Sequence, residues 1–236
     1  MPIHKFFPTS IYSDSLDAGI PRPVARQASI KVQKSDKKND TREKSSSAQF
    51  SLKRFNRELL EQCYLVRDSD PEGQEWSDSH YVHGYTSYGS ITDLHLRYPH
   101  FEELTQHLER HAKKFARLQQ WDLGAGRLRL VSCWVNIMPT HTAHSLHLHP
   151  LSVISGTYYV EVPKGASSIK FEDPRLERMM AAPPRKADAD LAIRPFVELQ
   201  PKAGQFAMWE SWLRHEVPAN RSSQDRISIS FNYDWI

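Results

Sequence analysis

The sequence predicts a mainly β fold with packed helices (α+β), a double-stranded β-helix or jelly roll, and three observations carry that expectation. From Arg127 onward, short β-rich segments follow one another between turn residues. Two segments with helical periodicity precede them. The last segment, RISISFNYDW, alternates polar and apolar residues, as a strand with two unlike faces must. Many antiparallel strands preceded by two helices suit a jelly roll with helices on one outer face.

The elements follow in order. FFPTSIY, within residues 5–16, reads as a short strand joining the main sheet, so residues 1–20 form an N-terminal strand unit. Residues 21–49 are polar, charged and nearly free of large apolar side chains. They cannot bury enough surface to offset the entropy of ordering, which predicts a flexible basic insertion. Residues 50–236 then form the jelly-roll domain with two supporting helices. The first helix, SLKRFNRELLEQCYLV, places Leu52, Phe55, Leu59, Leu60 and Cys63 on one face, and Asp68, Asp70, Pro71 and Gly73 end it. The second, FEELTQHLERHAKKFARL, spaces Phe101, Leu104, Leu108, Phe115 and Leu118 as a core-facing stripe. His107 and His111 stand i, i+4 on it without the glutamate of an HExxH motif, so a solvated face is expected there. The strands are LRLVSCWVNIM, SLHLHP, VISGTYYVEV, SIKFED, RPFVELQP, QFAMWESW and RISISFNYDW, with residues 186–191 as a surface loop.

Composition excludes several classes. The chain has 236 residues, enough for one large domain, and 39% hydrophobic residues supply a core. No run reaches the roughly 18–20 apolar residues that cross a bilayer. The N-terminus lacks a signal-peptide pattern, and Cys63 and Cys133 give no disulfide framework, so a cytoplasmic, reducing setting is expected. The net charge of +3 is uneven: residues 22–54 hold ten Lys/Arg against three acids, and the rest holds 21 against 25. The basic excess is thus local. No aromatic is interleaved with it for base stacking, so nucleic acid is not the expected partner. The sequence leaves a homodimer open.

The chemistry lies in the histidines. His141, His144, His147 and His149 fall within nine residues before Pro150. Strand alternation puts His147 and His149 on one face and His144 on the other. Neutral imidazole binds iron, zinc and copper well. His215 follows 66 residues after His149, and Arg226 eleven residues later. If the strands fold back, three histidines close a triangle around one metal. Arg226 can then pair bidentately with a carboxylate, and Ser228 adds a hydrogen bond from the same side. Trp134, Trp209 and Trp212 line a pocket or pack the core.

The order HxH…H…RxS resembles the 2-oxoglutarate and Fe(II)-dependent dioxygenase superfamily. WVNIM, HLHPLSVISGTYYVEVP, FEDPR, ESWLRHEVP and RISISFNY resemble an uncharacterised bacterial and phage branch of it, over roughly residues 74–236 including GYTSYGS at 84–90. The resemblance implies Fe(II) held by His147, His149 and His215, and 2-oxoglutarate bound through its distal carboxylate by Arg226 and Ser228. Asn136, Tyr158 and Tyr159 are further candidates for 2-oxoglutarate. O2 and an unidentified organic substrate complete the reaction, with succinate and CO2 as products. His149 departs from the superfamily's usual HxD or HxE, leaving a neutral ligand set. Glu172 and Asp173 could substitute, although a turn or a pair with Arg175 suits them better. A three-histidine cupin-type dioxygenase that does not use 2-oxoglutarate, or a non-catalytic jelly roll binding metal or a small acid, are the rival readings.

Overall fold

Alternation along the last strand divides the molecule into two compartments. In β10 (Arg226–Trp235), Ile227, Ile229, Phe231 and Tyr233 are fully buried and belong to a helix-side core, whereas Arg226, Ser228 and Ser230 line an inner cavity. The computed structural model describes residues 3–4, 6–16 and 51–236; the basic segment 21–49 lies outside the described residues.

Two antiparallel sheets face each other. The six-stranded sheet runs β1 (Ile11–Ser15), β8 (Gln205–Glu210), β5 (Ile154–Glu161), β10, β3 (Leu128–Met138) and β2 (Tyr85–Thr86). The four-stranded sheet runs β4 (His144–His147), β9 (His215–Val217), β6 (Ile169–Glu172) and β7 (Phe196–Leu199). This is the jelly roll expected from the sequence. Met138, Ile169, Phe171, Ala207, Trp209 and Val217 form the smaller apolar cluster between the sheets.

Among the described residues, four α-helices precede β3: α1 (Leu52–Asp68), α2 (Pro71–His80), α3 (Leu94–Arg97) and α4 (Pro99–Leu118). Ser51 caps α1 by accepting from the Arg54 N–H. Phe55, Leu59, Cys63 and Val66 of α1 meet Phe101, Leu104, Leu108 and Phe115 of α4 over the outer face of the six-stranded sheet. Burying each such side chain contributes roughly 1.5–3 kcal/mol. This layer anchors the strands that carry the inner cavity. No helix among the described residues is long and apolar enough to cross a membrane.

Several expectations need correction. Asp70-Pro71 ends α1 but also starts α2: the Asp70 carboxylate accepts from Gly73 N at 3.0 Å, and Pro71 occupies the first turn, where its missing N–H costs nothing. His107 and His111 are buried, not solvated. The α4 face that bears them is covered from two sides, by Phe55 at 6.1 Å from His107 and by Phe206 at 4.5 Å from His111. The Tyr12 hydroxyl of β1 lies 2.8 Å from His111 Nδ1. Leu118, placed on the core stripe, is 59% exposed because it is the last helical residue. QFAMWESW is not strand to its end: β8 stops at Glu210, and a turn closed by Leu213 N to Glu210 O (2.9 Å) separates it from β9.

Candidate metal centre

That turn matters because it brings His215 across to the other sheet. His215 pairs in register with His147 on β4, so the two imidazoles become neighbours, with ring centroids 4.3 Å apart. His149 joins them without being on a strand. β4 ends at His147, and His149 is held by its backbone N–H donating to Ser211 O at 3.0 Å. Its ring lies parallel to that of His215, 5.3 Å away. One ligand atom from each of His147, His149 and His215 lies within 4.8 Å of the others. The alternation argument placed His147 and His149 together, and the two rings do converge, but a loop rather than a strand face delivers the second.

Backbone carbonyls orient two of the rings. His147 Nδ1 lies 2.7 Å from Ser145 O, and His215 Nδ1 lies 3.0 Å from Leu213 O. Each Nδ1 therefore carries the proton, leaving the Nε2 lone pair for a metal. The third ring rests against Asn232, whose amide nitrogen is 3.3 Å from His149 Nδ1. Asn232 Oδ1 is 2.9 Å from Ser155 Oγ, which is 2.8 Å from Ser211 Oγ. Asn232 was not singled out from the sequence, although it shares the polar face of β10 with Arg226 and Ser228. His144 also enters the cavity, its ring stacked on His147 at 4.2 Å. It was expected on the opposite face; a register irregularity between His144 and His147 breaks the alternation.

Burial holds these imidazoles neutral. Desolvation, reinforced by neighbouring rings, lowers His149 to about 4, His144 to about 3 and His215 to about 2, and desolvation also lowers His147. In the unfolded chain the same groups titrate near 6.5. The unfolded state therefore binds more protons below that pH, and the metal-free fold loses stability as pH drops from about 6.5 toward 4. The urea midpoint at pH 5 is expected below that at pH 7.5. The slope is at most about 1.4 kcal/mol per pH unit for each histidine kept neutral. An unchanged midpoint would contradict the burial argument.

Arg226 occupies the other end of the cavity. It is 2% exposed and, among the described residues, has no carboxylate partner. Its Nε donates to Ser167 O at 3.2 Å, and Nη1 lies 3.4 Å from Ser228 Oγ and 3.3 Å from Met138 Sδ. The guanidinium carbon sits 5.3 Å from the centroid of the Tyr159 ring. Burial lowers the pKa of Arg226 and raises that of Tyr159 to about 12. The hydroxyls of Tyr159 and Tyr81 are buried without a hydrogen-bond partner among the described residues. A buried cation and two unsatisfied hydroxyls fit an anionic ligand with several acceptor oxygens.

The remaining candidates divide. Asn136 lines the cavity, accepting from Thr86 Oγ1 at 2.9 Å and donating to Ser230 Oγ at 3.0 Å. Tyr158 does not reach the site. One residue from Tyr159 on β5, it points to the helix side, where its hydroxyl donates to Asn56 Oδ1 at 2.8 Å. Trp134 and Trp209 line the cavity, while Trp212 faces outward. Asp173 forms a two-pronged pair with Arg175, and Glu172 pairs with Arg214 at 2.7 Å, so both acids lie outside the triad.

Comparisons with known proteins agree with this geometry. Residues 132–232 match the family model described as "Putative 2OG-Fe(II) oxygenase". A comparison with curated proteins returns no match. Among solved structures, the non-heme alpha ketoglutarate dependent epimerase SnoN from nogalamycin biosynthesis superposes with a TM-score of 0.54 at 17% identity, over 76% of this chain and 71% of that one. The same epimerase in complex with Fe3+, alpha ketoglutarate and nogalamycin RO gives 0.52 at 17% identity, over 76% and 74%. The non-heme monooxygenase ThoJ in its nickel complex gives 0.51 at 14% identity, over 77% and 69%. At these identities the likeness is one of fold. The family match runs from within β3 to within β10 and contains the three converging histidines and Arg226, so it is this stretch of the chain that is similar to the putative 2OG-Fe(II) oxygenases.

Proposed function

We propose that the protein is an Fe(II)- and 2-oxoglutarate-dependent oxygenase in which His147, His149 and His215 hold the iron and Arg226 anchors 2-oxoglutarate. The observation that carries this reading is the unpaired, buried Arg226 in the same cavity as the three neutral histidines. A guanidinium without a counter-ion is costly to bury, and a dicarboxylate arriving beside it offsets that cost.

When bound, Fe(II) and 2-oxoglutarate supply O2-dependent oxidation of an organic substrate, with succinate and CO2 formed from the co-substrate. The chain's own residues bind and orient. Arg226 and the Ser228 hydroxyl hold the distal carboxylate, with the Tyr159 ring flanking the guanidinium and its hydroxyl available as a further donor. Asn136, braced by Thr86 and Ser230, presents its amide edge to the middle of the cavity. Trp134 and Trp209 wall the histidines from water. Three neutral ligands leave the metal its full charge, which favours an anionic co-ligand.

The test is anaerobic reconstitution with Fe(II), followed by measurement of O2 and 2-oxoglutarate consumption with a small-metabolite pool. Succinate formation that a chelator abolishes is the expected result. O2 consumption without succinate would move the protein to the three-histidine dioxygenases that do not use 2-oxoglutarate. Fe(II) binding with no O2 consumption would leave a non-catalytic binding protein.

A further inference from the structure

A second concavity opens on the outer side of His149. It has a volume of about 450 Å³, within the usual range for small-molecule sites. Its walls come from four separate stretches: residues 121–123, residues 148–153, Glu210 with Trp212, and Trp235. His149 is the residue it shares with the inner cavity. Whatever fills this groove therefore lies against a proposed ligand of the metal.

Its chemistry is unusual for a protein surface. Trp121, Trp212 and Trp235 line it, with Trp212 46% and Trp235 55% exposed. Leu148 and Leu151 extend the apolar wall and are also exposed. Exposed aromatic and aliphatic side chains gathered in one concavity mark a binding surface. Trp235 is fixed rather than free: its indole N–H donates to Leu123 O at 3.1 Å. Its ring also lies over Gly126, where a side chain would collide with it.

The charges in the groove have one sign. Asp122 and Glu210 line it, and no lysine or arginine does. Among the described residues neither acid takes part in an ion pair. Asp122 accepts from Gly124 N at 3.0 Å, and Glu210 accepts from Gln119 Nε2 at 3.2 Å. Aromatic faces attract cations through their quadrupoles, and nearby carboxylates add to that attraction. The inner cavity has the opposite sign, set by Arg226. The two compartments on either side of His149 would thus sort an anionic co-substrate inward and a cation outward.

We propose that this groove receives the organic substrate and that the substrate carries a cationic nitrogen on an apolar or aromatic body. The proposal rests on the oxygenase reading above for the word substrate, but the binding claim can be tested without turnover. Three probes with one aromatic body serve: phenethylamine, 2-phenylethanol and phenylacetate, titrated calorimetrically into the metal-free protein.

Phenethylamine is expected to bind roughly tenfold more tightly than 2-phenylethanol, with phenylacetate weakest. The preference should fall to within about twofold in the Asp122→Asn, Glu210→Gln double variant, and Trp212→Ala should weaken all three. Equal binding of the neutral probe, or a cation preference untouched by the double variant, would overturn the proposed class. Location is read separately, from relaxation of the probe's protons by Co(II) bound to the protein. Strong relaxation places the probe beside the metal. Charge-selective binding without relaxation would overturn the groove's role as the substrate site. Failure of the protein to bind Co(II) at all would strike the metal reading, leaving the metal-free titration to judge the cation preference.

Discussion

Replacing Arg226 with methionine is expected to stabilise the metal-free protein while removing most of its affinity for 2-oxoglutarate. The two effects have opposite signs because the same guanidinium causes both. In the free protein it is a buried charge with no carboxylate partner, held by one carbonyl, one hydroxyl and a thioether. Exchanging a buried ion pair for packed apolar side chains is often neutral or stabilising, by about 1–4 kcal/mol, and a buried charge without a partner has less attraction to lose. In the complex it would face a carboxylate, and truncating one partner of a buried charge pair costs about 2–5 kcal/mol, or roughly 30- to several-thousand-fold in Kd. Thermal unfolding reads the first effect and calorimetric titration of 2-oxoglutarate the second. Metal affinity is expected to change little. A variant that keeps its acid affinity would remove Arg226 from the role assigned to it. One that loses stability would mean that its hydrogen bonds outweigh its desolvation.

Substitution of His215 by alanine is expected to abolish Fe(II) binding and succinate formation without unfolding the protein. Loss of a hydrogen bond that supports a ligand typically costs a metal site 10–100-fold; loss of the ligand itself costs more. His215 is 4% exposed and packs against Trp209 and Phe171, so alanine leaves a cavity and a lower melting temperature, which circular dichroism separates from unfolding. His149→Asp is the informative companion. It supplies an anionic oxygen where the ring nitrogen stood, and metal binding is expected to survive it. Undiminished Fe(II) affinity in His215→Ala would refute the triad.

Much of this architecture was legible because strands advertise themselves by alternation. RISISFNYDW separates into a helix-side and a cavity-side set residue by residue, and LRLVSCWVNIM coincides with β3. The same rule failed where the backbone departs from regularity. The irregularity between His144 and His147 turned His144 inward, and the end of β4 left His149 to a loop. Parity alone could not choose between Tyr158 and Tyr159, since both are buried and only the sheet's orientation says which faces Arg226. His107 and His111 looked solvated because their helix carries enough apolar residues for one contact face, whereas α4 is covered on two sides. The outer groove was illegible altogether: four stretches far apart in the chain build it.

The contact between His149 and Asn232 has a further consequence. A hydroxyl owns one proton and donates it once, so the series Ser211, Ser155, Asn232, His149 must run in a single direction. In one direction Asn232 gives its NH2 to His149 Nδ1, which puts the ring's proton on Nε2. A half-turn of the amide reverses every bond, offers His149 an oxygen, and frees the Nε2 lone pair. A metal held through Nε2 of His149, as proposed, would require the second polarity. Ser211 ends the series and directly precedes Trp212. Metal bound as proposed would therefore set the polarity of a hydrogen-bond chain that ends at Ser211, next to the groove wall.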